Sequence, residues 1–253
     1  MKFTFLGTGT SGGVPIIGCD CEVCRSADPR DKRLRTSAML EVDGRVLVID
    51  AGPDFRYQML RNHVKTLDAL LITHGHRDHI GGLDDIRPFN YLQHKVIDLY
   101  CDRWAEAMIR EQYSYAFNNT DYDFAPKVRF HIVDREPFTA AGITVLPIEV
   151  MHDRLPVRGY RIGGLSYITD AKTIADSEKE KIKGSKVLVI NALRERDHPA
   201  HYTTAEALRL IAEVKPEMAY LTHMSHQFGL HADVERSLPP NVRVAYDWLV
   251  LEV

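Results

Sequence analysis

Cysteine is scarce in this chain, and long apolar runs are absent. Only four of the 253 residues are cysteine, and three of them crowd into "GCDCEVC" as Cys19, Cys21 and Cys24. A disulfide framework would spread its cysteines to close useful loops, and a C-x-C bridge would be strained. No apolar stretch reaches the length of a signal core or a membrane span, so the expected location is the cytoplasm, with no membrane partner. Positive charge is not in surplus. Lys and Arg number 32 against 35 Asp and Glu, for a net charge of −3, which argues against a large nucleic-acid surface. Internal repeats, low-complexity tracts and Pro/Ser-rich linkers are missing, so one domain is expected over residues 1–253. A serine nucleophile elbow and a Walker A loop are also read as missing.

What remains is an ordinary globular balance, 45% hydrophobic and 26% charged residues, cut into short β-rich runs. "KFTFLG", "SAMLEV", "RVLVIDAG", "DALLIT", "KVIDLY", "KVRFHIV", "ITVLPIEV", "LSYITD", "KVLVINAL" and "EMAYLTH" have strand lengths. "DFRYQMLRNHV" and "DRWAEAMIREQYSYAF" read as helices, as does "TTAEALRLIAEV", with Thr203 or Thr204 as its N-cap. The order of these runs suits packed sheets with helices outside them.

Five of the runs finish on a side chain able to bind metal: Asp50, His74, His152, Asp170 and His223. Loops at strand ends, held by a rigid sheet, are a common place for a site. One of these loops is "THGHRDHIGG", where three histidines and an aspartate fall within six residues. In an extended segment His74 and His76 point the same way, and a helix starting near Asp78 would turn Asp78 and His79 to an adjacent direction. The stretch can thus serve two ions, completed by His152 and His223, with the two oxygens of Asp170 available to bridge. Such nitrogen and oxygen donors suit Zn, Mn or Fe. The clustered thiols also read as zinc ligands, with His226, His231 and His198 open as the fourth. Cys101 reads as a small buried hydrophobe. His63, His94 and His131 read as structural or solvent-facing, and "RDKRLRTS", residues 30–37, as a solvated loop.

"VIDAG", "THGHRDHIGG", His152, Asp170 and His223, in this order, resemble the metallo-β-lactamase superfamily. The resemblance implies a four-layer αββα sandwich of α/β class with a two-metal site at one edge. His74, His76 and His152 would hold one ion. Asp78, His79 and His223 would hold the other, with Asp170 bridging and Asp50 fixing the ligand loop from behind. Two divalent ions about 3.5–4 Å apart lower the pKa of a water so that hydroxide forms near neutral pH, and no side-chain nucleophile is required.

Three further stretches narrow the resemblance: "GTGTSGGVPIIGCDCEVC", "LTHMSHQFG" and "HPAHYTTAEAL". They are similar to the phosphoribosyl cyclic phosphate phosphodiesterases of the carbon–phosphorus lyase pathway. That likeness implies a structural zinc on Cys19, Cys21, Cys24 and His226, in a loop at about residues 18–25. It also makes His201 a catalytic or phosphate-contacting residue beside Asp78, with His198 as the fallback. A helix N-terminus just after His201 suits a bound phosphate, and as an imidazolium His201 would donate to it or protonate the leaving alkoxide. The implied cofactors are two active-site ions (Mn, Zn or Fe) and one structural Zn. The implied substrate is a small phosphodiester, a phosphoribosyl cyclic phosphate or a nucleotide-like molecule, and a homodimer is compatible with the reading. The alternative is a ribonuclease Z-like phosphodiesterase. A β-lactamase or glyoxalase II-type thioesterase does not fit the thiol loop. A non-hydrolytic protein like pyrroloquinoline quinone biosynthesis protein B would have no use for all seven ligands. Residues 84–130, including "DDIRPFNYLQHK" and "YSYAFNNTDYDF", carry no pattern that names a substrate.

Overall fold

The computed structural model describes residues 1–118 and 124–253; the stretch 119–123 of "YSYAFNNTDYDF" lies outside them. The first half runs β1 (Lys2–Gly7), α1 (Glu22–Arg25), β2 (Ser37–Val42), β3 (Arg45–Ile49), α2 (Phe55–Arg61), β4 (Ala69–Leu71), α3 (Arg77–Ile80) and α4 (Arg87–Gln93). It continues through β5 (Ile97–Cys101), α5 (Arg103–Gln112), α6 (Ser114–Phe117) and β6 (Val128–Ile132). The second half runs β7 (Phe138–Ala140), β8 (Ile143–His152), β9 (Leu155–Ile162), β10 (Leu165–Tyr167), β11 (Thr173–Ile174), α7 (Asp176–Ile182) and β12 (Val187–Asn191). It ends with α8 (Thr204–Val214), β13 (Met218–Thr222), α9 (His231–Ser237), β14 (Val242–Val244) and β15 (Val250–Glu252). One sheet has the order β15-β1-β2-β3-β4-β5-β6; the other has β11-β8-β9-β10-β12-β13-β14, with β7 paired to β8.

The alternation of side chains along each strand builds the layers. Leu47 and Ile49 of β3 enter the core between the sheets with Phe3, Phe5, Tyr160 and Tyr167, while Val48 turns to the opposite face. There it packs with Phe55 and Met59 of α2 and with Ala105 and Ile109 of α5. The second sheet repeats the logic. Val187 and Val189 of β12 face the inter-sheet core, and Leu188 and Ile190 face Ala207, Leu210, Ile211 and Val214 of α8. The result is helix, sheet, sheet, helix, the αββα sandwich. Both sheets change from antiparallel hairpins to parallel strands, β3 to β6 in one and β10, β12, β13 and β14 in the other. Parallel strands bring their carboxyl ends to one edge, where crevices for ligands form.

Three expectations need correction. "DRWAEAMIREQYSYAF" is two helices, not one, divided at Tyr113. Its hydroxyl donates to Ile80 O at 2.9 Å and accepts from Leu83 N at 3.2 Å, and these buried bonds pull the chain out of helical register. Strand β9 was absent from the apolar runs because Arg158 and Gly159 interrupt it. Its hairpin with β8 supplies what hydropathy did not show. "RDKRLRTS" is not a solvated loop. Arg33 is 4% exposed and donates to Ala245 O at 2.7 Å and Thr8 Oγ1 at 3.0 Å. Asp247 accepts from Thr8 Oγ1 and Leu34 N, both at 2.7 Å. Burial pulls Arg33 down to about 10 and pushes Asp247 up to about 7. This brace ties the N-terminal loop to the last strands. No helix among the described residues is long and apolar enough to cross a membrane.

Candidate metal centre

Asp50, Asp170 and His223, each just past a strand, have φ of 64°, 54° and 57°. Left-handed backbone at a non-glycine residue costs on the order of 1–3 kcal/mol and is found where surrounding structure enforces it. Here it turns three polar side chains inward at the carboxyl edge of the sheets. The turn after β3 then grips the histidine loop. Ala51 N donates to His79 O and Gly82 N to Ala51 O, both at 2.8 Å. A Cβ on Gly52 would lie 2.0 Å from Asp78 O, so only glycine lets the two loops touch.

His74, His76 and His152 come together within 4.8 Å, and so do His74, His79 and Asp170. His74 Nε2 lies 2.9 Å from His76 Nδ1. His79 Nε2 is 3.2 Å from Asp78 Oδ2 and 3.3 Å from Asp170 Oδ2; His223 Nε2 is 3.2 Å from Asp170 Oδ1. Asp170 therefore stands between the groups the sequence assigned to a second ion.

Counting protons shows which nitrogens face the centre. Thr73 Oγ1 donates to Asp50 Oδ2 at 2.8 Å, so the same oxygen can only accept from His74 Nδ1, 3.0 Å away. Thr169 Oγ1 donates to Asp170 Oδ2 at 2.6 Å and by the same reasoning accepts from His223 Nδ1 at 3.2 Å. His79 Nδ1 donates to Asp50 Oδ2 at 2.7 Å, and His152 Nδ1 to Ala200 O at 2.8 Å. All four rings thus anchor Nδ1 and aim Nε2 inward, the arrangement in which outer partners fix the tautomer of ligating histidines.

Burial pulls His74 and His223 down, keeping them neutral and able to donate a lone pair. His79 differs: burial opposes its charge, yet Asp78, Asp170 and Asp50 raise it well above the usual imidazole range. Its Nε2 is buried with no hydrogen-bond partner. A proton on that nitrogen stands where a cation would meet the carboxylates of Asp78 and Asp170, so the donor set fits a divalent ion.

His201 lies in the same cleft, 8% exposed, with ring centroids 4.5 Å from His152, 5.0 Å from His223 and 4.9 Å from His198. It also groups with His152 and Asp170. Its Nδ1 is buried without a partner, 3.8 Å from Asp170 Oδ1. Burial and neighbouring His223 push it down to about 3, so in the free protein the ring is neutral. Thr203, two residues on, is the N-cap of α8 and forms a capping box with Glu206.

Cys19, Cys21, Cys24 and His226 gather within 4.8 Å, while His231 lies beside Arg33 and His198 beside His201. His226 Nδ1 is 3.2 Å from Cys19 Sγ and 3.4 Å from Cys21 Sγ. A tetrahedral zinc with ordinary bond lengths spaces sulfur and nitrogen roughly 3.5 Å apart, so these four residues fit it. Cys24 N donates to Cys21 Sγ, which helps bring that thiol down to about 6, while burial lifts Cys24 to about 11. Cys101 is fully buried, as expected of a small hydrophobe. His131 pairs with Asp98 at 2.7 Å, away from the cleft.

The sequence reading missed the threonines that orient the rings, Thr73 for His74 and Thr169 and Thr36 for His223, although Thr73-His74 and Thr169-Asp170 repeat one signal: a threonine directly before a strand-end ligand. Thr10 was missed as well; its Oγ1 lies 3.2 Å from His223 Nε2. Another correction concerns the nucleophile elbow. Gly9-Thr10-Ser11-Gly12-Gly13 does spell G-x-S-x-G. It follows β1 but enters a turn, Gly13 N donating to Thr10 O at 2.8 Å, and the next helix does not begin until Glu22, so Ser11 does not sit on an elbow.

Residues 45–224 match the family model described as the beta-lactamase superfamily domain. The chain belongs to this family, the metallo-β-lactamase superfamily. Within it the chain is PhnP-like. A crystal structure of a diphosphatase from the PhnP family is 39% identical with a TM-score of 0.93, covering 100% of this chain and 97% of that one. The octanoyltransferase of Porphyromonas gingivalis is 41% identical over 252 residues, 98% of this chain. Those residues are 51% of the octanoyltransferase, so the chain spans about half the length of that relative. Zn(2+)-bound PqqB from Methylobacterium extorquens shares the fold, with a TM-score of 0.82 at 21% identity and full coverage of both chains.

Proposed function

We propose that the protein is a metal-dependent phosphodiesterase acting on a small, cyclic or nucleotide-like phosphodiester. The observation that carries this reading is the ring of inward-facing Nε2 atoms on His74, His79, His152 and His223 around the carboxylate of Asp170. Likeness to a PhnP-family diphosphatase over the whole chain supports a phosphoryl centre as the target. His74, His76 and His152 would hold one ion; Asp78, His79 and His223 would hold a second, with Asp170 shared. When bound, such a pair neutralises phosphoryl oxygens and makes water acidic enough to attack near neutral pH. The chain's own residues do the rest. Asp50 and the threonines hold the rings in one tautomer, and Ala200 O couples His152 to the loop that bears His201. His201, beside Asp170 in the cleft, contacts the phosphate or the departing alkoxide, and an arriving phosphate would charge it. Cys19, Cys21, Cys24 and His226 would hold a structural zinc that fastens the N-terminal loop to the loop of His223.

Activity is tested on bis(p-nitrophenyl) phosphate with Mn, Zn or Fe, followed by cyclic ribose phosphates, 2′,3′-cyclic nucleotides, short RNAs and S-octanoyl thioesters. Highest kcat/KM on a ribose cyclic phosphate is the expected result. Turnover of a thioester with none of any phosphodiester would overturn the proposal.

A further inference from the structure

The carboxyl edge of the first sheet does not end at the metal centre. β3 delivers Asp50 and β4 delivers His74, and the next two parallel strands, β5 and β6, deliver Asp102 and Val133 to the same edge. Between these last strand ends lies a groove of about 540 Å³, lined by Asp102, Arg103, Trp104, Val133, Asp134 and Arg158, with Ile132 at its rim. It adjoins the metal centre. The Trp104 ring stands 5.7 Å from the ring of His76 at 85°, and Arg158 N donates to Thr73 O, next to His74, at 2.9 Å.

The lining selects the chemistry of an occupant. Trp104 and the 43%-exposed Ile132 offer apolar surface. Around them stand both signs of charge: Arg103 and Arg158 against Asp102 and Asp134. Arg158 is 7% exposed; Nη1 donates to Glu149, but its Nε is buried without a partner. A second phosphate would meet two carboxylates here, and an acyl chain would strand the charged groups. Asp102 already caps α5 through Ala105 N at 2.7 Å, and Arg158 lies between Glu149 and Asp134; a flat group with an apolar face and hydrogen-bonding edges suits the Trp104 surface among these paired charges, and the volume is ordinary for a small-molecule site.

We infer that this groove is a nucleobase subsite, in which a base stacks on Trp104 while its phosphate lies at the metal centre. The inference rests on the phosphodiesterase reading for the position of the phosphate, but its test does not need turnover. The chain has two tryptophans. Trp248 lies elsewhere, under the Arg61 guanidinium at 3.7 Å and 6.3 Å from Tyr57. Trp248→Phe therefore leaves Trp104 as the only indole.

Adenosine 5′-monophosphate is titrated into the metal-loaded protein, with ribose 5-phosphate as the ligand lacking a base. Saturable quenching by the nucleotide is expected in wild type and Trp248→Phe, and none in Trp104→Phe. The wild-type to Trp104→Phe difference gives the same reading if Trp248→Phe does not fold. By competition, the nucleotide should bind roughly 5- to 150-fold tighter than ribose 5-phosphate, the size of one base–aromatic stack. That margin should collapse in Trp104→Ala. Equal affinity for the two ligands, or a margin unchanged in Trp104→Ala, overturns the inference. Phosphodiester hydrolysis without a margin counts against the groove alone; a margin without hydrolysis of any phosphodiester counts against the proposed reaction alone.

Discussion

Replacing Asp50 by asparagine changes a single atom, at the point on which the tautomer of His79 depends. Asp50 is fully buried and accepts three hydrogen bonds. Thr73 N reaches Oδ1 at 2.8 Å; Thr73 Oγ1 and His79 Nδ1 reach Oδ2 at 2.8 and 2.7 Å. In Asp50→Asn one oxygen keeps Thr73 N, and the new amide NH2 then faces two donors. His79 relieves the conflict by moving its proton to Nε2, which leaves that nitrogen no lone pair for an ion held together with Asp78 and Asp170. Loss of such an outer partner lowers metal affinity about 10- to 100-fold, or about 1.4–2.8 kcal/mol. Asp50→Ala goes further and leaves the buried Thr73 N–H and His79 Nδ1–H without acceptors. At about 1–3 kcal/mol for each stranded group, stability should fall by about 2–6 kcal/mol. Metal binding is followed by chelator competition with elemental analysis, and stability by urea unfolding of the metal-free proteins. Wild-type metal affinity in Asp50→Asn, or a loss under about 0.5 kcal/mol in Asp50→Ala, would refute the proton accounting.

Cys21→Ser should lose one zinc per molecule that resists mild chelation in wild type, and should lower Tm and soluble yield; elemental analysis alongside a thermal melt checks both. His201→Ala should leave metal content and folding unchanged and lower kcat by about 10²–10⁴-fold on a ribose cyclic phosphate. With p-nitrophenolate as the leaving group, which needs no proton, the loss should be smaller. Asp247 is held up at about 7 by burial, against an ordinary 3.8. Its protonation therefore contributes stability that is full below pH 3.8 and lost as pH rises through about 7. Asp247→Asn, which cannot ionise, should gain on wild type between pH 4.5 and 7.5 in paired urea titrations; a constant difference would contradict this.

Much of the centre could be read along the chain because its parts are adjacent in covalent sequence. His74, His76, Asp78 and His79 share one loop, and the three clustered thiols share another, so spacing alone announces them. His152, Asp170 and His223 were legible in a weaker way, as polar residues ending apolar runs. Strand lengths and period-2 patterning also pointed to sheets covered by helices, since the inward and outward alternation of residues such as Leu47, Val48 and Ile49 is a local property.

Other features depend on contacts between distant segments and leave no local trace. Strand β9 is a strand because β8 pairs with it, despite Arg158 and Gly159. The break at Tyr113 comes from bonds to Ile80 and Leu83, some thirty residues earlier. Arg33 looked like a surface cation until Thr8, Ala245 and Asp247 enclosed it. His226 was one of three candidates beside the thiols until folding brought its ring within 3.2 Å of Cys19. By itself, then, the sequence determined which donors this protein carries and that strand ends present them. Only the tertiary structure decided which nitrogen of each ring faces the centre, that one oxygen of Asp170 lies against His79 and the other against His223, and that Trp104 lines a groove beside them. Tautomers, shared carboxylates and grooves are properties of segments held against one another, through interactions between residues as distant along the chain as Asp50 and Thr73, Thr169 and His223, and Thr73 and Arg158.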